Sequence, residues 1–257
     1  MKKIIKNTII ALLLLALSVS TALLAYLHFF ASDAREFSGD KDLSGEWTAN
    51  LDMTGQAAVT ALFWLQDIEA VSISLEDIES YMQDLTIQVN LTFEQTAPSG
   101  GTFQCYVLPE SYDACNQAAY EAFAVAFQEL LAERLCMADY TGSTDREALE
   151  ALVTETFGMS TVSYLMSNGP ALLPALEDLQ TQYDGRGTYE TADGILTRQF
   201  DAGRPVATRT ECYLREGSSL ILYEEDGSAS PGLFSDYYPI IYTLKQPQTD
   251  NTGRELQ

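Results

Sequence analysis

Polar and apolar positions alternate most strictly over the ten residues Leu85 to Glu94, where Leu85, Ile87, Val89, Leu91 and Phe93 are separated by Thr86, Gln88, Asn90, Thr92 and Glu94. A period of two predicts a strand with one buried and one wet face. Pro98-Ser99-Gly100-Gly101 then turns the chain, and Phe103, Cys105 and Val107 repeat the alternation, so a hairpin is expected. Five more β-prone runs close the sequence: Gly187 to Thr191, Ile195 to Phe200, Thr210 to Arg215, Ser219 to Glu224 and Tyr238 to Leu244. Asp193-Gly194, Glu216-Gly217 and Asp226-Gly227 lie between them, as hairpin corners of an antiparallel sheet or barrel do. With Gly45 to Met53 as the first run, about eight strands are predicted.

Two helical blocks interrupt the strands. The first, about Gln56 to Gln83, carries Val59, Leu62 and Phe63 and then Leu75, Ile78 and Met82, with Ser74 placed as an N-cap. The second runs from about Asp113 to Tyr183. Within it Tyr120, Phe123, Phe127, Leu130, Leu131 and Leu135 recur at three and four residues, predicting one helix from Asp113 to Met137. Thr144-Asp145-Arg146-Glu147 fits a capping box, Gly158 a stop, and Ser160 and Pro170 the openings of two shorter helices. The expected fold class is α+β: an antiparallel meander of about eight strands, as a barrel or half-barrel, with two helical insertions and one transmembrane helix ahead of it.

That transmembrane helix is read from residues 9–31, which form 23 positions interrupted only by Ser18, Ser20, Thr21 and His28. At about 1.5 Å per residue such a run spans a hydrocarbon core of about 30 Å. Lys2, Lys3 and Lys6 precede it and Asp33 and Glu36 follow, which places residues 1–8 in the cytoplasm and the main domain outside. The expectation is a single-pass cell-membrane protein; Ser32-Asp33-Ala34 supplies the small residues of a cleavage site, which would instead release a secreted domain. Residues 32–43 read as a stalk, 44–245 as one extracytoplasmic domain and 246–257 as a disordered tail.

Charge narrows the partners. The full chain has 14 basic and 37 acidic residues, and beyond residue 32 there are 11 basic residues against 37 acidic ones, a net of −26. A polyanion needs a basic stripe to bind, so nucleic acid is excluded as a partner. The one histidine, His28, lies in the apolar run, so the exported domain has none to serve as a catalytic base. Cys105, Cys115, Cys136 and Cys212 could form two disulfides outside the cell or remain as buried thiols. A Cys115–Cys136 bridge is disfavoured because one helix would hold the two roughly 30 Å apart. No C-x2-C unit occurs, so no metal site and no cofactor is expected.

Other chemistry is thinly represented. Ser38-Gly39-Asp40-Lys41 has S-x-x-K spacing but lies in the stalk with no K-T-G after it. Glu76, Asp77 and Glu79 are explained by a helix N-terminus, Glu224-Glu225-Asp226-Gly227 by a hairpin corner, and Gly185-Arg186-Gly187 lacks the third glycine of a phosphate loop. No catalytic residue is assigned.

Gly45-Glu46-Trp47 opens the first predicted strand, a helical pair follows and then the meander begins. This order resembles the calycin superfamily of lipocalins and fatty-acid-binding proteins, in which a G-x-W near the start of the first strand closes one end of a barrel. Ser235-Asp236-Tyr237 is similar to the T-D-Y motif of lipocalins. The whole chain looks like uncharacterised membrane-anchored, lipocalin-like envelope proteins of Gram-positive bacteria. The resemblance implies an apolar cavity for a small hydrophobic ligand lined by Trp47, Phe63, Trp64, Phe93 and Phe103, with Phe63 and Trp64 on a helical lid. The bland alternative is that these aromatics fill a core. Three classes of function stay open: a tethered, non-enzymatic binding or interaction domain, an envelope assembly protein acting through helix-mediated contacts, and a carboxylate-based hydrolase.

Overall fold

The computed structural model describes residues 42–66, 73–203, 207–224 and 237–245. The apolar run 9–31, the stalk up to residue 41, the tail and most of Ser235-Asp236-Tyr237 lie outside them. Among the described residues no helix is long and apolar enough to cross a membrane.

The strands are β1 (Gly45–Asp52), β2 (Thr86–Ala97), β3 (Gly100–Val107), β4 (Gly185–Ala192), β5 (Ile195–Phe200), β6 (Thr208–Glu216), β7 (Ser219–Glu224) and β8 (Ile240–Leu244). Each pairs antiparallel with the next and β8 returns to β1, closing a barrel in sequence order. The early hairpin and the late meander are therefore one wall. Because the strands alternate in direction, β1 ends, β2 begins, β3 ends and β4 begins at the same rim, and both helical insertions emerge there. The first insertion supplies α1 (Thr54–Gln66) and α2 (Leu75–Tyr81), and the second α3 (Pro109–Met137), α4 (Arg146–Phe157), α5 (Thr161–Asn168) and α6 (Leu176–Tyr183). The opposite rim is made of tight turns. At one, Asp193 and Gly194 have φ of 49° and 79°, the left-handed pair that a two-residue hairpin of matching twist requires.

Local signals explain most boundaries. Ser74 accepts from the Asp77 N–H while the Asp77 carboxylate accepts from the Ser74 N–H, a reciprocal cap at the start of α2. Asp145 caps α4 by accepting from the Ala148 N–H, and Gly158, at φ 74°, ends it. The first helical block is the expected pair of helices, with α1 starting at Thr54. Two expectations are corrected. The long helix starts at Pro109, not Asp113, because proline's fixed φ suits a first turn and its missing N–H costs nothing there. Pro170 opens no helix; residues 170–175 are irregular, and the Pro170 and Pro174 carbonyls accept instead from Tyr120 (2.8 Å) and Tyr112 (2.9 Å). None of the four cysteines is joined in a disulfide. Cys115 and Cys136 share α3, and burial pushes the Cys115 thiol up to about 11, leaving it protonated and unreactive.

Candidate functional site

Alternation along each strand decides what the barrel holds. On β5 the buried positions are Leu196, Arg198 and Phe200, and on β6 they are Glu211 and Tyr213. Both members of an ion pair are thus turned inward. Arg198 Nη2 lies 2.6 Å from Glu211 Oε2 and 2.8 Å from Oε1, and Arg198 Nε lies 2.9 Å from Oε2, with both side chains about 2 % exposed. Burial is the largest single influence and lowers the pKa of the guanidinium, but the Glu211 carboxylate together with Cys105, Tyr242 and Tyr238 outweighs it and the net direction is upward, so Arg198 stays charged. The Tyr238 hydroxyl donates to Glu211 Oε1 by a short hydrogen bond. Arg198 also sits 5.6 Å from the Phe103 ring centre and 5.9 Å from that of Phe200.

A second polar chain runs beside the pair. Tyr183, at the end of α6, has its hydroxyl 2.7 Å from that of Tyr242 and donates to the Asn90 carbonyl at 3.2 Å, while Cys105 donates its S–H to the Tyr183 carbonyl at 2.9 Å. Burial raises both tyrosines above their ordinary pKa. Among the described residues, Arg198 Nη1 and the Tyr189 hydroxyl are buried polar atoms without a partner.

The five aromatics expected to line one cavity lie in different surroundings. Trp47, Phe93 and Phe103 are buried in the barrel. The Trp47 indole N–H donates to the Leu43 carbonyl at 2.8 Å, and the Arg215 guanidinium sits 5.4 Å from its ring. Phe93 meets Tyr189 edge-on at 4.7 Å and Phe103 meets Phe200 edge-on at 5.0 Å. Gly187, paired with both Phe103 and Phe200, leaves room for that contact; a Cβ there would stand 1.9 Å from the Gln199 carbonyl oxygen. Phe63 is 74 % exposed. Trp64 is half-buried and packs on α3, edge-on to Phe123 at 5.7 Å and tilted on Phe127 at 6.2 Å. Trp64 thus packs against the margin of the core that holds Trp47, Phe93 and Phe103, and Phe63 does not. An eight-stranded barrel is just wide enough for side chains to fill, and here Trp47, Phe93, Tyr189, Arg198 and Tyr242 are its largest fully buried occupants.

Two hollows lie on the outer surface. One, of about 300 Å³, runs over the polar outer face of β2 to β4, between Glu94, Gln104 and the exposed Arg186–Asp201 pair. The other, of about 790 Å³, lies between α1, the end of β1 and the start of β8, and is lined by Leu51, Asp52, Gln56, Val59, Tyr237 and Ile241, among others. Val59 is 52 % and Ile241 58 % exposed. Tyr237 ties its edges together, with its hydroxyl 2.9 Å from Gln56 Oε1 and 3.0 Å from Met53 Sδ. Among the described residues no group of three or more histidine, cysteine, aspartate or glutamate side chains is placed to hold a metal ion.

Comparison with protein-family models, with curated proteins and with solved structures gives no match. The class is therefore defined by the geometry alone: an up-and-down eight-stranded barrel with a helical cap at one rim and a packed, ion-paired interior. Sequence reasoning missed Arg198 and Glu211, although a signal existed. In Leu196-Thr197-Arg198-Gln199-Phe200 the arginine is in phase with the apolar residues, and a charge on the apolar phase of a strand is a buried charge in want of a partner.

Proposed function

We propose that this protein is a non-enzymatic interaction domain, tethered at the outer face of a cell membrane by residues 9–31, which works through its outer surface and not by carrying a small ligand. The observation that carries this reading is the contrast between an interior occupied by aromatic side chains and the Arg198–Glu211 pair, and apolar side chains left uncovered on α1 and β8. A carrier of hydrophobic ligands needs an apolar cavity of roughly 300 Å³ or more. The two hollows of that size described above are on the outside. The resemblance to lipocalin-like envelope proteins fits the barrel order and the anchor and lends no activity.

The test places a photoreactive amino acid in the full chain in its membrane, once at Phe63 and once at Phe93. Adducts with other proteins are expected from position 63, and only adducts within the chain from position 93. Lipid or metabolite adducts at position 93 would overturn the reading in favour of a ligand carrier.

A further inference from the structure

β1 pairs with β2 over eight positions but with β8 over only two, Trp47 with Leu244 and Thr48 with Thr243. The same register would set Asn50 opposite Ile241 and Leu51 opposite Ile240. Neither pair forms, and all four residues line the 790 Å³ groove instead. On β1 the backbone groups of even-numbered residues face β8, since the Glu46 carbonyl accepts from the Lys245 N–H at 2.8 Å. Asn50 and Asp52 therefore turn N–H and C=O groups toward a seam where no described strand pairs with them. Val59 and Ile241 flank this edge with exposed apolar surface, and Phe63 extends it one turn along α1.

The charge of this half of the molecule is one-sided. From Asp42 to Glu133, which covers β1, α1, α2, β2, β3 and most of α3, the sequence holds fifteen acidic residues and no lysine, arginine or histidine. Asp52 lies in the groove itself. A second copy of so acidic a chain is repelled. The chain's own tail, 246–257, has Leu256 as its only large apolar residue and offers little to cover Val59 and Ile241.

We propose that the open part of the β1–β8 seam, with the adjoining face of α1, is a docking site for an extended segment of a partner protein that carries apolar side chains at alternate positions and lysine or arginine around them. The segment adds to the strand edge through its backbone, sets its apolar side chains against Val59 and Ile241, and meets the acidic surface with its cations. This rests on the interaction reading above and names the surface and partner chemistry for it.

Displayed random heptapeptides selected on the full chain in nanodiscs test the proposal. The expected result is enrichment of alternating apolar sequences with lysine or arginine, whose binding weakens at least tenfold in Val59→Lys and in Ile241→Lys while the melting temperature of each variant holds. No enrichment, or enriched peptides indifferent to both substitutions, would overturn it. Enrichment only on a chain carrying Leu233→Ser and Phe234→Ser would assign the groove to the chain's own residues. A concentration-dependent doubling of mass abolished by Val59→Lys would assign it to a second copy. Protein adducts from position 63 alongside peptides that ignore the seam would leave the interaction reading standing and remove only this site.

Discussion

The barrel interior and the groove beside β8 treat polar and apolar groups in opposite ways. Inside, charges and hydroxyls are withdrawn from water and answer one another: Arg198 with Glu211, Glu211 with Tyr238, Tyr183 with Tyr242. In the groove, apolar side chains stay in water and no described strand pairs with part of the β1 edge. The difference separates what the fold needs from what it holds in reserve. Changes to the interior should act on stability, and changes to the groove should leave it nearly untouched.

Alkaline pH should expose this contrast most strongly. Burial raises Tyr183 and Tyr242 above the value of 10.0 they would have in an unfolded chain. The native state then keeps protons that the unfolded state releases, so their contribution is complete below pH 10 and is lost as pH rises. The loss is about 1.4 kcal/mol per pH unit for each tyrosine between its unfolded and its raised native value. Tyrosinate absorbance followed with circular dichroism should show a late cooperative step that coincides with unfolding. Smooth titration of all 14 tyrosines near pH 10 would mean that the interior is wet.

Glu211→Ala should come next. It leaves the Arg198 guanidinium buried and unpaired, which costs about 3–5 kcal/mol, whereas Arg198→Met with Glu211→Leu should be close to neutral. Denaturant midpoints decide between them, and a single substitution costing less than about 1 kcal/mol would show that the pair is not desolvated. Gly187→Ala should cost about 1–3 kcal/mol, because its Cβ meets a backbone oxygen and the strand must shift. A neutral result there would show that β4 and β5 can separate without loss.

Much of the barrel could be read from the chain because the information is local. Ile195–Phe200 and Ser219–Glu224 have the boundaries that alternation and Asp-Gly or Glu-Gly corners predict. Ser74 and Gly158 stand at the helix ends they signal. The candidate site was far less legible, because its parts meet only through the register. Arg198 and Glu211 are 13 residues apart on strands whose inward faces could each be named, yet their contact depends on which residues pair across β5 and β6. The β1–β8 seam joins residues almost two hundred positions apart, and nothing near Asn50 or Ile241 announces that the ladder stops after two pairs. Phe63 and Trp64 are neighbours on one helix, and period alone did not say that one would face water and the other α3.

The smallest predicted effect is the most discriminating. Phe63→Ser removes a ring that is 74 % exposed, so little apolar area leaves water on folding and little is forfeited by the change. Stability should move by no more than about 0.5 kcal/mol, as for surface positions in general. Serine lowers helix propensity slightly against phenylalanine's own modest value, which does not alter that bound. Chemical denaturation of the full chain in detergent, set beside Glu211→Ala, measures the contrast between the two regions directly. A cost above about 1.5 kcal/mol would mean that residues of the same chain cover the α1 face, and the groove would then belong to the core and not to a partner.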